Sequence, residues 1–521
     1  MPSQRCRCAV LCLLFTLGAG AFLPATGAGE PPLLVKIGDV ERLIRDVEAL
    51  TPADSPVRAQ VGMLRALVGG TGWLDPARPV VAGVLEAGPR PALVALVPYA
   101  APNPQFQAAF GAAAREGYYL LSFPPRPGTL PAIDPALEQA LLRASAVRPP
   151  VNLVLEIPAA LLLARMKPQI DAALAKVGEA EPAPSGSGGV VIPPDEVRAM
   201  MGDMLGLVGQ AETLRLGMEV EGEALSLVMD VEAGRDTALG RLFVDPGGET
   251  RLGEVAADMP LRFWSRAPEM SGMMELAELA YGRLYRRMGF DPGELSALAE
   301  AFTGEMSGGM RLDAEGIAMR GIYVLRPGVD GSAYIEQTYL PFLDRYAGRV
   351  AALAAAADRP APAALYERTA DSTVAGLRVV GLRMNPGALP GAGADGPDNP
   401  LEQLPFEVRM AASGDLLLFA SSDAGIADLA ARAAALAPVP AAGPTSRMEI
   451  DLGALLEGVR QIAPPRPGAA ALPPLSGKMT VEVDMRDGGM HSRTRFDIGQ
   501  LTRMMEAAKA KAASQNTQET P

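Results

Sequence analysis

The side chains able to do chemistry are few and poorly grouped. His491 is the only histidine in the chain, and it alternates with Arg493, Arg495 and Asp497 opposite Met490 and Phe496. That is the polar face of a strand. No nucleophile pattern lies near it, so it reads as a surface histidine and not as a triad base. The G-x-S-x-G elbow is absent. "GAGADG" (391–396) spells a dinucleotide fingerprint, but its glycines sit in a Pro-rich loop followed by "PDNP", whereas the fingerprint works by feeding a strand into a helix N-terminus. Asp484, Asp487 and Gly488 open like a calcium loop and then lack its remaining oxygen ligands. Met200, Met201 and Met204, with Met270, Met273 and Met274, offer thioethers to Cu(I). Helical spacing of Met200, Met204 and Leu207 makes core filling the simpler reading. Paired carboxylates for glycoside cleavage are a matter of three-dimensional separation, and only Trp73 and Trp264 could supply indole stacking. The sequence therefore assigns no catalytic, cofactor-binding or metal-ligating residue, and no cofactor.

The elements that would position a site are more legible. In "LRLGMEVEGEALSLVMDVE" the apolar positions Leu214, Leu216, Met218 and Val220 are answered by Leu225, Leu227, Met229 and Val231 across Gly222. Alternate side chains of a strand share a face, and glycine turns the chain, so a hairpin with one apolar face is predicted. Three more follow the same grammar, turning at Gly316, Gly414 and Gly488. In the second, the alternation slips at Gly321, which predicts a bulge. The last should carry Met479, Val481, Val483 and Met485 on its inner face.

A second unit recurs: a short strand that runs directly into a helix. Leu34 to Ile37 leads through Asp39 as N-cap to Val40, Leu43, Ile44 and Val47 on one helical face. "VNLVLEIPAALLLARMKPQIDAALAKV" enters its helix at Pro158. The stretches beginning at Met259 and Arg447 repeat it loosely, and Arg90 to Gly111 is a fifth candidate.

The first residues behave as a secretory leader. Arg5 and Arg7 precede an apolar run from Ala9 to Pro24 and then small residues, with cleavage expected after Ala28 and, as the alternative, after Ala21. All three cysteines, Cys6, Cys8 and Cys12, would leave with it. The mature chain would have no thiol, and losing Arg5 and Arg7 takes the formal charge from -13 to -15. Such acidity argues against nucleic acid as a partner. The most apolar later stretch, Val151 to Ala164, is short for a span and carries Asn152, Glu156 and Pro158, so no transmembrane segment is expected after cleavage.

Pro/Gly-rich stretches at 179–194, 384–400 and 463–475 read as linkers. The turn glycines are 94, 98 and 74 residues apart, too long and irregular for a solenoid. The expected organisation is α+β: a leader (1–28), a first lobe (29–250), a second (251–509) and a disordered tail (510–521). The lobes are expected to be duplicates, each a mostly antiparallel sheet covered on one face by amphipathic helices. This layout resembles large exported bacterial cell-envelope proteins of unassigned function, and the resemblance implies no activity or site residue. The function expected is that of a non-enzymatic binding or scaffold protein, periplasmic or extracellular, with an unknown protein as partner. The alternative is a carrier of an apolar ligand such as a lipid, suggested by the Met-rich inner faces, and behind it stands a carboxylate-dependent hydrolase. No linker is marked as a lid, which favours a closed scaffold over a carrier.

Overall fold

The computed structural model describes residues 33–50, 70–123, 135–179, 194–266, 291–356, 364–385, 406–462 and 477–497, apart from 88–89, 223 and 442, together with a few isolated positions between these stretches. The expected leader with its cysteines, "GAGADG", Met270, Met273, Met274, the expected tail and nearly all of the three expected linkers lie outside the described residues. What is described is a mixture of helix and mostly antiparallel sheet. It divides into two compact units, one drawn from Met1–Asp171 with Ala211–Ala233, the other from Ala172–Gln210 with Gly234–Pro521.

In the first unit, β1 (Leu34–Ile37) leads into α1 (Val40–Leu50). Then come β2 (Val80–Ala87), β3 (Arg90–Pro98), α2 (Pro104–Phe110), β4 (Ala113–Arg115), β5 (Tyr118–Phe123) and α3 (Pro135–Ser145). β6 (Leu153–Pro158) runs into α4 (Ala159–Glu179), and β7 (Ala211–Glu221) and β8 (Ala224–Ala233) form the hairpin that turns at Gly222, whose φ is 63°. The sheet order is β4-β5-β3-β2-β1-β6-β7-β8, each neighbouring pair antiparallel. Val35, Ala82, Ala95 and Leu121 stand side by side across four strands and pack on Phe106 of α2, Tyr119 and Trp73. The other face buries Val81, Leu96 and Leu120 under Leu137 and Leu141 of α3. Along the β7–β8 hairpin, Leu216, Leu227 and Met229 remain 45%, 43% and 37% exposed, so this apolar stripe is not wholly covered as its alternation predicts.

The second unit includes α5 (Pro194–Val208), β9 (Leu261–Arg266), α6 (Pro292–Ala299), β10 (Phe302–Asp313) and β11 (Gly316–Leu325). A broken helix follows: α7 (Gly331–Tyr334), a π-helical turn (Ile335–Tyr339) and α8 (Leu340–Ala356). Next come β12 (Tyr366–Val374), β13 (Leu377–Met384), β14 (Phe406–Ser413), β15 (Leu416–Ala420), α9 (Asp423–Ala435), β16 (Ser446–Asp451), α10 (Leu452–Ile462), β17 (Lys478–Arg486) and β18 (Gly489–Asp497). The order is β12-β13-β14-β15-β11-β10-β9-β16-β17-β18, again antiparallel throughout. The turn glycines at 316, 414 and 488 all take positive φ. A further two-residue hairpin, β12–β13, turns on Ala375 and Gly376, with φ of 51° and 79°.

Sheet cover in this unit is two-sided where the sequence pattern leads one to expect a single covered face. Ile322, Leu418, Ala411 and Val379 form one row across β11, β15, β14 and β13, packed on Ile426 and Leu429 of α9. The opposite face places Met410, Val380, Leu382 and Leu417 against Tyr334, Ile335, Leu340 and Leu343. Strands buried on both faces are apolar in continuous runs and not in alternation, as "LLLFA" of β15 is.

Gly321 corrects another expectation. It sits in regular register between Gly308 and Phe419, and the ladder irregularity falls instead between Phe302 and Met306. The row Phe263, Gly308, Gly321, Phe419 is continuous across four strands, and a Cβ on Gly321 would lie 2.3 Å from Cζ of Phe419. Glycine is there to let the phenyl ring lie over the strand.

Candidate functional site

The face of the second unit that carries Phe419 does not close. Between it and the helices above is a cavity of about 550 Å³, within the range of small-ligand pockets, about 300–1,000 Å³. Its floor is Met319 and Tyr323 of β11, Leu382 and Met384 of β13, Phe406, Val408 and Met410 of β14, and Leu417 and Phe419 of β15. Leu295, Leu298 and Ala299 of α6, Phe302, Tyr334, Ile335, Tyr339 and Phe342 complete it. None of these described side chains carries a charge.

Local sequence explains how the helices stand there. Asp330 caps α7, its carboxylate accepting from the backbone N–H groups of Ser332 and Ala333 at 2.9 and 3.1 Å, a use of aspartate that satisfies otherwise orphaned donors. Gly331 lets the helix start close to β14, since a Cβ there would be 2.7 Å from that of Ala412. The π turn closes with Leu340 N–H donating to the carbonyl five residues back, that of Ile335. Such turns are rare and concentrate at functional sites. Asp291 and Pro292 start α6, whose Glu294 is held by Arg349 at 2.6 Å and Arg345 at 2.9 Å from α8. The hydrogen bond from Arg349 outweighs burial and holds the Glu294 carboxyl below the usual glutamate range. The Tyr366 hydroxyl of β12 donates to Asp344 of α8. Glu336, on the π turn, takes Arg368 at 2.8 Å and Arg378 at 2.7 Å from the β12–β13 hairpin. Asp371 joins that network at 3.2 and 2.6 Å. Polar clasps thus fasten the helices to the sheet while the interior stays apolar.

Three phenols are the interior's polar atoms. Tyr334 donates to the carbonyl of Leu298 at 3.2 Å. The hydroxyls of Tyr323 and Tyr339 have no hydrogen-bond partner among the described residues. Burial raises all three, Tyr334 and Tyr339 further by neighbouring phenols, so all remain protonated at neutral pH.

Among the described residues, those weighed for chemistry from the sequence do not line this cavity; the methionines that do are Met319, Met384 and Met410. His491 faces Asp484 across the β17–β18 ladder. Asp484 pairs with Arg486 at 3.2 Å and Asp487 with Arg235 at 3.6 Å, so the acidic turn is engaged by arginines. Met200, Met201 and Met204 lie on α5 and are half-buried. Trp73 belongs to the first unit's core, its ring 4.6 Å from Phe106, and Trp264 is on β9 opposite Ser307. Among the described residues no group of three His, Cys, Asp or Glu side chains is placed to hold a metal ion, and no helix is long and apolar enough to cross a membrane. Three acidic residues, Asp39, Glu41 and Asp75, do line a crevice of about 290 Å³ in the first unit. Each has structural work there: Asp39 accepts from Arg42 N–H at 2.9 Å, Glu41 from the Thr71 hydroxyl at 2.6 Å and Asp75 from Ala77 N–H at 2.9 Å.

One further charged cluster lies on the polar side of β9, β16 and β17. Glu449 is 6% exposed and accepts from Arg262 at 2.7 Å, Lys478 at 2.9 Å and Arg447 at 3.4 Å. Compared with known proteins, the chain matches no family model, no curated protein and no solved structure.

Proposed function

We propose that this chain is an exported bacterial cell-envelope protein that binds an apolar ligand in the second unit. The observation that carries this reading is the uncharged cavity of about 550 Å³ beneath the broken helix. A protein core normally packs to crystal-like density, so an aromatic-lined space left open among the described residues is a reason to expect a guest. Among the functions considered, the carrier is favoured over the closed scaffold by this cavity. The scaffold reading keeps one supporting observation, the exposed Leu216, Leu227 and Met229 of the β7–β8 hairpin, an apolar patch on which a protein partner could act. An environment-sensitive apolar dye should bind the purified mature chain at about one per molecule. Val408→Trp, which fills the cavity from β14, should weaken binding at least tenfold while unfolding stays cooperative. Absence of saturable binding, or an unaffected Val408→Trp variant, would overturn the carrier reading.

The two units also read as copies of one lobe. In chain order, β1, β2, β3, β4, β5, β6, β7 and β8 correspond to β9, β10, β11, β14, β15, β16, β17 and β18. Written that way, the spatial order of the first sheet reproduces that of the second strand for strand, with β12–β13 as an insertion at one edge. Helices fall at matching places, α3 with α9 and α4 with α10. The connection after the third strand differs: seven residues of α2 in the first unit, with Phe106 packed on Trp73 and Tyr119, and the longer α7–π–α8 in the second. Aromatic side chains pack at this place in the first unit, and the cavity lies there in the second.

Export rests on the leader. Intact-mass measurement of the exported protein should find it beginning near Gly29 and unreactive to thiol reagents. A mature chain that still carries a thiol would contradict this.

A further inference from the structure

We propose that the cavity selects neutral amphiphiles: its guest presents one hydroxyl or carbonyl group to Tyr323 and Tyr339 and carries no ionised head group inside. The inference rests on the carrier reading above and names the chemistry that the same cavity would recognise.

Two observations point this way. First, Tyr323 and Tyr339 line the cavity and their hydroxyls have no hydrogen-bond partner among the described residues, whereas Tyr334 is already committed to Leu298. Polar groups in an apolar interior are normally paired, and a phenol both donates and accepts one hydrogen bond readily. The two rings reach the cavity from opposite walls, Tyr323 from β11 in the floor and Tyr339 from the π turn above it. A ligand oxygen held by both would be fixed between sheet and helix.

Second, the described lining offers no counter-charge. A carboxylate or phosphate placed there would lose its hydration with only phenol donors in return, and an ion buried without a partner is strongly disfavoured. The arginines on the surrounding elements are engaged elsewhere: Arg345 and Arg349 by Glu294, Arg368 and Arg378 by Glu336 and Asp371. Burial raises both unpartnered phenols, which keeps them as uncharged donors over the physiological range and adds no charge of their own for a cationic head group to meet. A long-chain alcohol, an ester or a quinone-like carbonyl compound satisfies the site, and a fatty-acid anion does not.

The test uses the mature full-length chain and displacement of the bound apolar dye by two probes of equal chain length, 1-dodecanol and dodecanoate, at pH 8. Dodecanol should displace at least tenfold more tightly. Tyr323→Phe with Tyr339→Phe, which keeps both rings, should reduce dodecanol affinity about tenfold more than it changes the dye's own, the combined effect of two ordinary hydrogen bonds. Equal displacement by the two probes overturns the inference even if the double variant proves unstable, because that comparison needs only the unaltered chain. An unaltered dodecanol affinity in a folded double variant overturns the role of the two phenols. In either case dye binding itself survives. Loss of the carrier reading looks different: no dye binds at all.

Discussion

Replacing Glu449 with alanine is expected to remove about 3–5 kcal/mol of the second unit's stability, the usual cost of deleting one partner of a buried ion pair. The carboxylate is nearly inaccessible and stands among Arg262, Lys478 and Arg447. Without it, the carboxylates left to pair with the three cations among the described residues are Glu254, 3.6 Å from Arg262, and Glu482, 3.8 Å from Arg447. Glu449→Gln keeps the shape and loses the charge, so a smaller loss is expected. The same group predicts an acid response. Burial alone would raise its carboxyl, but hydrogen bonds from Lys478 and Arg262 prevail and hold it below the ordinary glutamate range. A lowered folded value means that its contribution is fully present above the unfolded pKa, about 4.3, and is lost as pH falls through the folded one. Asp415, held low by Arg251, and Asp371, held low by Arg378, act in the same direction. The two tryptophans make the measurement specific, because Trp264 lies on β9 beside Arg262 and Trp73 lies in the first unit. Chemical denaturation followed by Trp264 in a Trp73→Phe background should show the loss. A shift under 1 kcal/mol would mean that Glu449 is not buried among these cations.

Gly321→Val is expected to cost about 3 kcal/mol, the upper part of the range for overpacking. Strand propensity alone points the other way, since valine suits a strand and glycine does not. Sterics decide it: even a Cβ would lie 2.3 Å from Phe419 Cζ and 2.8 Å from the carbonyl oxygen of Ser307. The carbonyl belongs to the neighbouring strand and cannot move alone, whereas the phenyl ring has one way out, into the cavity that it lines. The variant should therefore lose dye affinity as well as stability. Gly321→Ala should show both effects more weakly. A Gly321→Val protein as stable as the parent would show that Phe419 does not lie over β11.

Much of the sheet was readable because hairpins leave local marks. The glycines at 222, 316, 414 and 488 sit between alternating runs, and each proves to be a left-handed turn residue. The β12–β13 hairpin was missed because its turn uses Ala375 at positive φ, a residue that signals helix as readily as turn. Two-sided burial did leave a trace, the unbroken Leu416, Leu417 and Leu418, but an apolar run of five residues does not separate strand from helix. The cavity could not be read locally at all. Its lining comes from nine segments between Leu295 and Phe419, and only tertiary packing decides whether such side chains meet or stand apart. The Met-rich hairpin strands hinted at adaptable packing, while nothing near Tyr323 or Tyr339 in sequence says that both line one space.

The charged β12–β13 hairpin has a consequence beyond fastening the helices. Among the described residues β12 pairs with β13 alone, so its other side is an open ladder of the kind that recruits a second chain by strand addition. Glu367, Arg368 and Asp371 stud that strand, and the ladder breaks register between Thr369 and Ser372. Charges and an irregular edge are how natural sheets refuse intermolecular pairing. This hairpin thus supplies a non-covalent guard against aggregation at the margin of the sheet that bears the cavity.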